Sequence, residues 1–178
     1  MDAFKITSYS CAALGTAMIL GAMMHGCQEA AVKMGELNVQ KRIQLTRQQE
    51  VYKDFFVKHK SPEPEAMAVA VSHTKNPKLM AAIAVVESNA NPKAIGDKGA
   101  SKGAFQVQEK HWSRVKDDAL TQALQSEKIL HELMPDRGRH RWRTTLARYN
   151  GGSRPSKRAY RYADRVLKLS GEVMDVSS

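Results

Sequence analysis

The longest uninterrupted apolar stretch of the chain lies close to its N-terminus. From Ile6 to His25, twenty consecutive residues carry no formal charge, and Lys5 precedes them. A helix of about 20 apolar residues is long enough to cross the roughly 30 Å hydrocarbon core of a bilayer. A basic start followed by an apolar middle is also typical of a secretory signal. Residues 1–27 are therefore predicted to be a membrane anchor or a signal.

Four interpretations of this segment remain open from the sequence. No small-x-small cleavage site follows the apolar run, which favours an uncleaved anchor over a cleaved signal. Gly26 before Cys27 permits a lipoprotein, although Met24 and His25 are a poor lead-in for lipidation. The frequent Ala, Gly, Ser and Thr residues also permit a buried helix of a soluble fold. With an anchor or a signal, the remainder is exported to the periplasm or the outer face of the inner membrane.

Residues 28–65 are predominantly polar and are predicted to form a helical stalk and linker. Val51 with Phe55, and Tyr52 with Phe56, have the i, i+4 spacing of neighbours on a helix. No heptad pattern continues long enough to indicate a coiled coil.

The Ser-Pro-Glu-Pro sequence of residues 61–64 indicates a domain boundary, because proline removes a backbone donor and disfavours helix in the preceding residue. One main domain, residues 66–170, and a tail, residues 171–178, are predicted to follow. Helical spacing of apolar residues predicts an all-α fold. Asp117 and Asp118 suit a helix start, since acids stabilise helix N-termini. The predicted helices are one ending at Glu87 and others near residues 103–113, 117–133, 141–149 and 156–169.

The helix that ends at Glu87 has clear start and stop signals. Asn76 and Pro77 predict its start, with a capping side chain before a first-turn proline. The apolar residues that then recur on one face are Leu79, Met80, Ile83 and Val86. Residues 88–92 read Ser-Asn-Ala-Asn-Pro and predict a turn, so the helix must end close to Glu87.

This position disfavours ionisation of the Glu87 carboxyl. The negative end of the helix dipole and the apolar neighbours both raise the free energy of the carboxylate. A general acid for glycosidic cleavage must keep its proton near neutral pH, so Glu87 is a candidate for that role. On these features alone, a carboxylate that merely solvates a helix end remains the competing interpretation.

The balance of charge predicts an anionic partner. The chain has 28 basic and 18 acidic residues, which give a formal charge of +10 and a pI near 9.7. Nucleic acid, an acidic membrane surface and an anionic wall polymer all fit this excess. The densest basic stretch surrounds Trp142 and comprises Arg137, Arg139, His140, Arg141 and Arg143. No nucleic-acid-binding motif accompanies it, so a solvated basic loop is predicted.

Cysteine and metal chemistry are not expected in the main domain. Cys11 and Cys27 are the only cysteines, and both lie in the N-terminal segment. The histidines lack zinc-binding spacing, since Pro135 stands where a metalloprotease pattern beginning at His131 needs its second histidine. Neither a metal nor another cofactor is therefore predicted.

Three short motifs in the main domain carry a resemblance to a known family. Residues 87–94 read Glu-Ser-Asn-Ala-Asn-Pro-Lys-Ala, residues 99–107 read Gly-Ala-Ser-Lys-Gly-Ala-Phe-Gln-Val, and residues 147–152 read Ala-Arg-Tyr-Asn-Gly-Gly. In order and separation they resemble the soluble lytic transglycosylase (SLT) family, of the goose-type lysozyme-like superfamily. The family's usual forms are Glu-Ser with a proline shortly after it, Gly-Leu-Met-Gln, and Ala-Tyr-Asn-x-Gly. The resemblance extends over roughly residues 76–169.

The resemblance implies a set of site residues and a lysozyme-like fold. Glu87 would be the catalytic acid and base, and Ser88 a polar group close to it. Gln106 would contact sugar through its amide, while Tyr149 and Asn150 would line the cleft. Without the resemblance, each would be interpreted as an ordinary turn, surface or core residue.

A sixth site residue comes from the C-terminal part of the domain. Residues 162–166 read Tyr-Ala-Asp-Arg-Val and resemble the family's Tyr-Val-x-x-Val, whose tyrosine hydroxyl approaches the catalytic carboxylate. This implies Tyr162, with Tyr160 as the alternative counterpart.

The motifs also depart from the family in two places. Ala104 and Phe105 replace the usual Leu-Met, which is expected to reshape the apolar wall of the cleft, and Arg148 before the tyrosine is less typical. Neither departure removes a group with a chemical role. Trp112 and Trp142 are predicted to be packing residues on helices.

The resemblance implies cleavage of peptidoglycan by a lyase rather than by a hydrolase. Hydrolases usually place two carboxylates around the bond, whereas here the motifs supply one. In the family, the muramoyl C6 hydroxyl attacks instead of water and closes a 1,6-anhydro ring, which breaks the β-1,4 bond between N-acetylmuramic acid and N-acetylglucosamine. The alternative is a goose-type lysozyme with Asp97 as second acid, although Asp97 is typical of a turn residue.

Two further alternatives belong to other classes. A non-catalytic wall-binding or assembly protein of an envelope machine would keep the fold without the chemistry, but Glu87, Gln106 and Asn150 are all present. Nucleic-acid binding rests on charge alone, so no nucleic-acid partner is predicted. The predicted partners are glycan strands, the membrane through the N-terminal segment and, by analogy, a secretion, conjugation or phage-entry apparatus.

Overall fold

The computed structural model describes residues 33–38, 40, 43–44, 46–135 and 140–173. The chain divides into two compact units, Met1–Gln44 and Leu45–Ser178. The described residues of the first unit are helical and exposed. The predicted anchor or signal, residues 1–27, lies outside the described residues. Within the described ranges, no helix combines the length and apolar character needed to span a bilayer.

The second unit is mostly helical, so the predicted all-α fold is confirmed. Its helices are residues 46–58 (α1), Pro64–Ser72 (α2), Pro77–Ser88 (α3), Ala119–Leu133 (α4), Arg141–Gly151 (α5) and Lys157–Gly171 (α6). Between α3 and α4 lies a small antiparallel sheet of β1 (Ile95–Gly96), β2 (Ser101–Lys102) and β3 (Val107–Gln108), in that order. A 3₁₀ turn, Asp97–Gly99, joins β1 to β2.

Helix α3 runs through the interior of the unit. Every residue from Leu79 to Val85 is buried, and three of the seven have the small side chain of alanine, namely Ala81, Ala82 and Ala84. Small side chains allow the neighbouring helices to approach closely on several sides. Helix α3 packs against α2 and α6, while α4 packs against α2 and α5. The fold therefore fixes both ends of the helix that carries Glu87.

The start of α3 differs from the sequence prediction in one detail. Pro77 is at the first turn as expected, but the Asn76 side chain makes no capping hydrogen bond. The backbone N–H groups of Lys75 and Asn76 instead donate to Oε1 of Glu127 on α4, at 2.7 and 3.3 Å. A carboxylate from another helix therefore satisfies these donors and complements the helix dipole. The predicted start of α4 is confirmed, since Asp118 accepts from the N–H of Thr121.

Helix α1 belongs to the same core as the later helices. Tyr52, Phe55 and Phe56 are buried in the common hydrophobic cluster. Beyond the helix, Ser61 Oγ donates to the carbonyl of Ala90 at 2.9 Å, close to the end of α3. The compact unit therefore begins before the boundary predicted at residues 61–64, because large aromatic side chains in the second half of the predicted stalk are buried rather than solvated.

The helix predicted near residues 103–113 does not form. Gly103 and Gln106 have φ angles of +76° and +48°, in the left-handed region that a right-handed helix excludes. These residues form a turn into β3, and Trp112 follows in a non-helical segment. The apolar residues of this segment pack into the core although they lie in a turn. Their spacing resembles that of a helix, which is why the helix prediction was wrong.

Candidate active site around Glu87

The Glu87 carboxyl lies where α3 leaves the core. Glu87 is the penultimate residue of the helix, and Asn89 ends it in the left-handed conformation. The hydroxyl of Tyr162, on α6, donates a hydrogen bond to Glu87 Oε1 at 2.6 Å. Tyr160, the alternative counterpart in the sequence, has its ring 4.8 Å from the guanidinium carbon of Arg143 instead. Two helices that are distant in sequence thus meet at one carboxyl.

Burial is the main influence on the Glu87 carboxyl. It raises the pKa of Glu87 from an ordinary value of 4.5 to about 7, because the charged form loses solvation. The hydrogen bond from Tyr162 acts in the opposite direction, and the negative charge of Asp97 raises the pKa further. Near neutral pH, both the acid and the carboxylate are therefore populated, as a group that first gives and then takes a proton requires.

The two site tyrosines are held as neutral hydroxyls. Burial raises the pKa of both Tyr162 and Tyr149 above the ordinary value of 10, and the nearby Glu87 charge adds to this. The Tyr149 hydroxyl donates to the carbonyl of Phe105 at 2.8 Å. Tyr162 is therefore a hydrogen-bond donor to Glu87, while Tyr149 holds the turn between β2 and β3.

A cleft of about 740 Å³ opens beside Glu87. Of the predicted site residues, Glu87, Gln106, Tyr149 and Asn150 line it, whereas Ser88 and Tyr162 do not. Trp112, predicted as a packing residue on a helix, is half-buried in the cleft wall. Aromatic faces beside polar groups suit sugar rings, which have both apolar faces and hydroxyl edges. No motif marked Trp112, since its position depends on the unpredicted turn before it.

Ser88 and Gln106 shape the loop that faces Glu87. Ser88 Oγ donates to the carbonyl of Ala104 at 2.8 Å and accepts from the N–H of Asn91 at 3.0 Å. Gln106 Nε2 donates to the carbonyl of Gly103 at 2.9 Å. The oxygen of the Gln106 amide lies where a Cβ on Gly96 would be, so a side chain at this position would displace the amide from its place. The Ser88 hydroxyl is thus engaged with the protein backbone.

Gln122, on α4, is a site-forming residue that the sequence did not reveal. Its side chain is buried, and Oε1 accepts from the N–H of Ala104 at 2.8 Å. Nε2 donates to the carbonyls of Pro92 and Lys116, at 2.9 and 2.8 Å. A Cβ on Gly103 would collide with this amide. One side chain therefore joins three loop segments behind the cleft. The sequence feature that could have indicated this role was a glutamine on the buried face of an amphipathic helix.

Replacement of Gln122 by Leu should lower the free energy of unfolding by about 3 kcal/mol, because it leaves one buried N–H and two carbonyls without their partner. Urea unfolding followed by circular dichroism measures this. Gln125→Leu is the matched control on the same helix, since its hydrogen bonds to Ser113 are exposed, and it should cost less than about 1 kcal/mol. Equal losses in the two variants would contradict the role given to Gln122.

Asp97 lies in the cleft wall as well as in a turn. Its φ of +47° is left-handed, and Oδ2 accepts from Ser101 Oγ at 2.6 Å, which fixes the 3₁₀ turn. The same residue lines the cleft and raises the pKa of Glu87. The turn prediction is confirmed, and the structure adds a second carboxyl to the surroundings of Glu87.

Comparison with known families agrees with these motifs. The chain matches the model of the transglycosylase SLT domain over residues 66–169, more than half of its length. The matched region holds the Glu87 helix, the sheet, the cleft and Tyr162. No curated protein and no solved structure matches the chain. The resemblance in the sequence is thereby confirmed, and the chain belongs to the transglycosylase SLT domain family of the lysozyme-like superfamily.

Proposed function

We propose that this protein is a peptidoglycan lytic transglycosylase in which Glu87 is the single acid and base. The family indicates lytic-transglycosylase-type action on peptidoglycan. The bond proposed is the β-1,4 linkage between N-acetylmuramic acid and N-acetylglucosamine, and the product a 1,6-anhydromuramic acid. The observation that carries this is a half-buried carboxyl with a pKa of about 7, held by Tyr162 at the wall of a cleft.

The proposed reaction needs one group that both donates and accepts a proton. Protonated Glu87 gives its proton to the glycosidic oxygen, the bond from that oxygen to the muramoyl C1 breaks, and N-acetylglucosamine leaves with a hydroxyl. The Glu87 carboxylate then takes the proton of the muramoyl C6 hydroxyl while O6 bonds to C1. No water is consumed, and Glu87 ends in its initial protonation state. A pKa of about 7 keeps both steps accessible near neutral pH.

The other site residues are proposed to bind and orient the strand. Gln106 and Asn150 offer amides at the cleft wall, and Trp112 offers an apolar face for a sugar ring. The hydroxyls of Ser88 and Tyr149 donate hydrogen bonds to backbone carbonyls. We therefore propose that these two residues position the loop that faces Glu87. Tyr162 fixes the direction of the carboxyl itself.

Mass spectrometry of the soluble products tests the proposal. The full-length protein, purified in detergent, is incubated with insoluble peptidoglycan beside a Glu87→Gln variant. Anhydromuropeptides from the wild type alone are expected. Reducing-end muropeptides would identify a hydrolase, and no products from the wild type would favour a wall-binding protein without catalysis.

A goose-type lysozyme is the second candidate, because Asp97 shares the cleft with Glu87. If the lyase is correct, Asp97→Asn removes a neighbouring negative charge, while the amide oxygen can still accept the hydrogen bond from Ser101 Oγ. The pKa of Glu87 then falls below about 7, and the high-pH limb of the rate moves to lower pH. The rate at the optimum should change less than about tenfold, as measured by turbidity loss from pH 5 to 9. A loss of 10²-fold or more with reducing-end products would instead favour water activation by Asp97.

We further propose that residues 1–27 export the protein and retain it at the outer face of the inner membrane. The uncharged run from Ile6 to His25 supports this. Protease added to intact spheroplasts should digest the main domain, whereas a domain protected until lysis would contradict export. A role beside a secretion, conjugation or phage-entry apparatus would suit such an anchored enzyme.

A further inference from the structure

Helix α6 presents a row of cations to solvent. Lys157, Arg161, Arg165 and Lys168 follow i, i+4, i+8 and i+11 spacing, and Arg158 lies beside them. All five residues are exposed, whereas the buried face consists of small and apolar side chains. Helical geometry places the five within about 100° of arc along roughly 16 Å of axis. These five residues are called the α6 stripe.

The fold does not neutralise the α6 stripe. Asp164 is the only acidic residue of the helix, and it is bound by Arg143 through two contacts, at 2.5 and 2.8 Å. No ion pair in the described part of the chain involves a residue of the stripe. Glu172, just beyond the helix, borders the same small pocket as Arg165 and Lys168 without forming an ion pair.

The arrangement also costs the helix local stability. Like charges at i, i+4, such as Lys157 with Arg161 and Arg161 with Arg165, repel each other. Lys157 and Arg158 stand in the first turn, where the helix dipole favours acids. Lys168 in the last turn, and Asp164 at helical spacing from Arg161 and Lys168, offset only part of these terms. A row of cations that weakens its own helix is explained by an anionic partner outside the domain.

The stripe is distinct from the cleft but shares a helix with it. None of its five residues lines the cleft, while Tyr162 on the same helix donates to Glu87. At the C-terminal end of the stripe, Arg165 and Lys168 border a pocket of about 300 Å³ with His59. The buried Nε2 of His59 has no hydrogen-bond partner among the described residues. That pocket is large enough for a carboxylate and a few water molecules.

We infer that the α6 stripe binds the carboxylates of peptidoglycan stem peptides outside the cleft, and so holds the enzyme on the insoluble wall. The inference rests on the proposed function for its choice of partner. Peptidoglycan is the one polyanion that family membership already indicates as a substrate of this domain. Its peptide stems display free carboxylates at intervals, which a row of separated cations can contact together. Membranes and nucleic acids are tested as alternatives.

Binding is measured with full-length protein in detergent, carrying Glu87→Gln so that the wall is not cut. Co-sedimentation with insoluble peptidoglycan is followed from 50 to 500 mM NaCl. Adding Arg158→Gln, Arg161→Gln and Lys168→Gln should weaken binding about tenfold at low salt and flatten its salt dependence, because three cations are lost. Adding Lys75→Gln, Lys110→Gln and Lys116→Gln instead removes the same charge from exposed sites outside the stripe and its pocket, and should change binding less than about twofold.

Amidation of the wall provides the reciprocal test. Peptidoglycan whose carboxylates are coupled to methylamine should bind the Glu87→Gln protein about as weakly as native peptidoglycan binds the stripe variant. Equal binding of the stripe and control variants to native wall would overturn the inference. So would unchanged binding to amidated wall, or tighter stripe-dependent binding to phosphatidylglycerol vesicles or to duplex DNA than to wall.

Turnover separates this inference from the proposed function. In the Glu87 wild-type background, the stripe variant should raise the KM for insoluble wall about tenfold, while cleavage of short soluble glycan fragments, which reach only the cleft, changes less than twofold. An equal loss on both substrates would show that the stripe acts through the catalytic centre and would overturn the inference. Absence of products from every protein, wild type included, would instead contradict the proposed function, since wall binding is measured without cleavage.

Discussion

Replacing Glu87 by Gln is expected to lower the rate of glycan cleavage by about 10²- to 10⁴-fold, the range that a positioned acid or base supplies. The amide has nearly the shape of the carboxyl and still accepts the hydrogen bond that Tyr162 donates at 2.6 Å. It cannot give a proton to the glycosidic oxygen or remove one from the C6 hydroxyl. The loss should therefore be in kcat, with binding to peptidoglycan retained.

The same substitution should stabilise the fold, by an amount that grows as the pH rises from about 4.5 to about 7 and stays constant above that. A folded-state pKa of about 7 against an ordinary 4.5 means that the folded state resists ionisation of Glu87. Stability is thus fully present below pH 4.5 and is lost as the pH rises through about 7, by up to about 3 kcal/mol. Gln cannot ionise, so the variant should equal the wild type near pH 4 and exceed its stability at pH 8.

Urea unfolding at pH 4 and pH 8, beside turbidity assays of wall cleavage, measures both effects. Glu132→Gln, at an exposed position on α4, is the control and should alter neither rate nor stability appreciably. Full activity in the Glu87 variant would remove the basis of the proposed mechanism. Lower stability of that variant at both pH values would show that the carboxyl supports the fold rather than straining it.

The parts of the fold that sequence predicted are those specified locally. The helix ending at Glu87 carries its own signals, a first-turn proline and a turn immediately after it, and it forms as Pro77–Ser88. Asp118 likewise caps α4 through a contact only three residues away. By contrast, Glu127 serves the start of α3 from a different helix, which no local pattern indicates. The burial of Phe56 in the common hydrophobic cluster likewise depends on tertiary contacts, which no local pattern indicates.

The candidate site divides in the same way. Three motifs predicted Glu87, Gln106, Tyr149 and Asn150, and the structure brings all four to one cleft. It could not be predicted from sequence that Gln122 would hold the loop, since its three hydrogen bonds reach backbone groups in separate segments. The turn at residues 103–106 was missed because a left-handed φ at a glutamine such as Gln106 has no local signal in the sequence.

Replacing Tyr162 by Phe should lower the rate by about 10- to 100-fold and move its pH dependence. The Tyr162 hydroxyl fixes the direction of the Glu87 carboxyl, and a small misplacement of a catalytic group is costly. The same hydrogen bond lowers the pKa of Glu87, so its removal raises that pKa above about 7. Because the acid must be protonated to act, the high-pH limb of the rate should move to higher pH, opposite to the shift expected for Asp97→Asn.

Tyr160→Phe is the matched control, since it removes a hydroxyl two residues away whose ring lies under Arg143. Initial rates on soluble glycan fragments from pH 5 to 9 should be unaltered in that variant. The Tyr162 variant should also lose more stability at pH 8 than at pH 5, because a hydrogen bond to a carboxylate is worth more than one to the neutral acid. A lower rate with an unchanged pH profile would mean that Tyr162 acts on the substrate or the fold. Opposite shifts of the pH profile in Tyr162→Phe and Asp97→Asn would show that these two polar neighbours tune the pKa of Glu87.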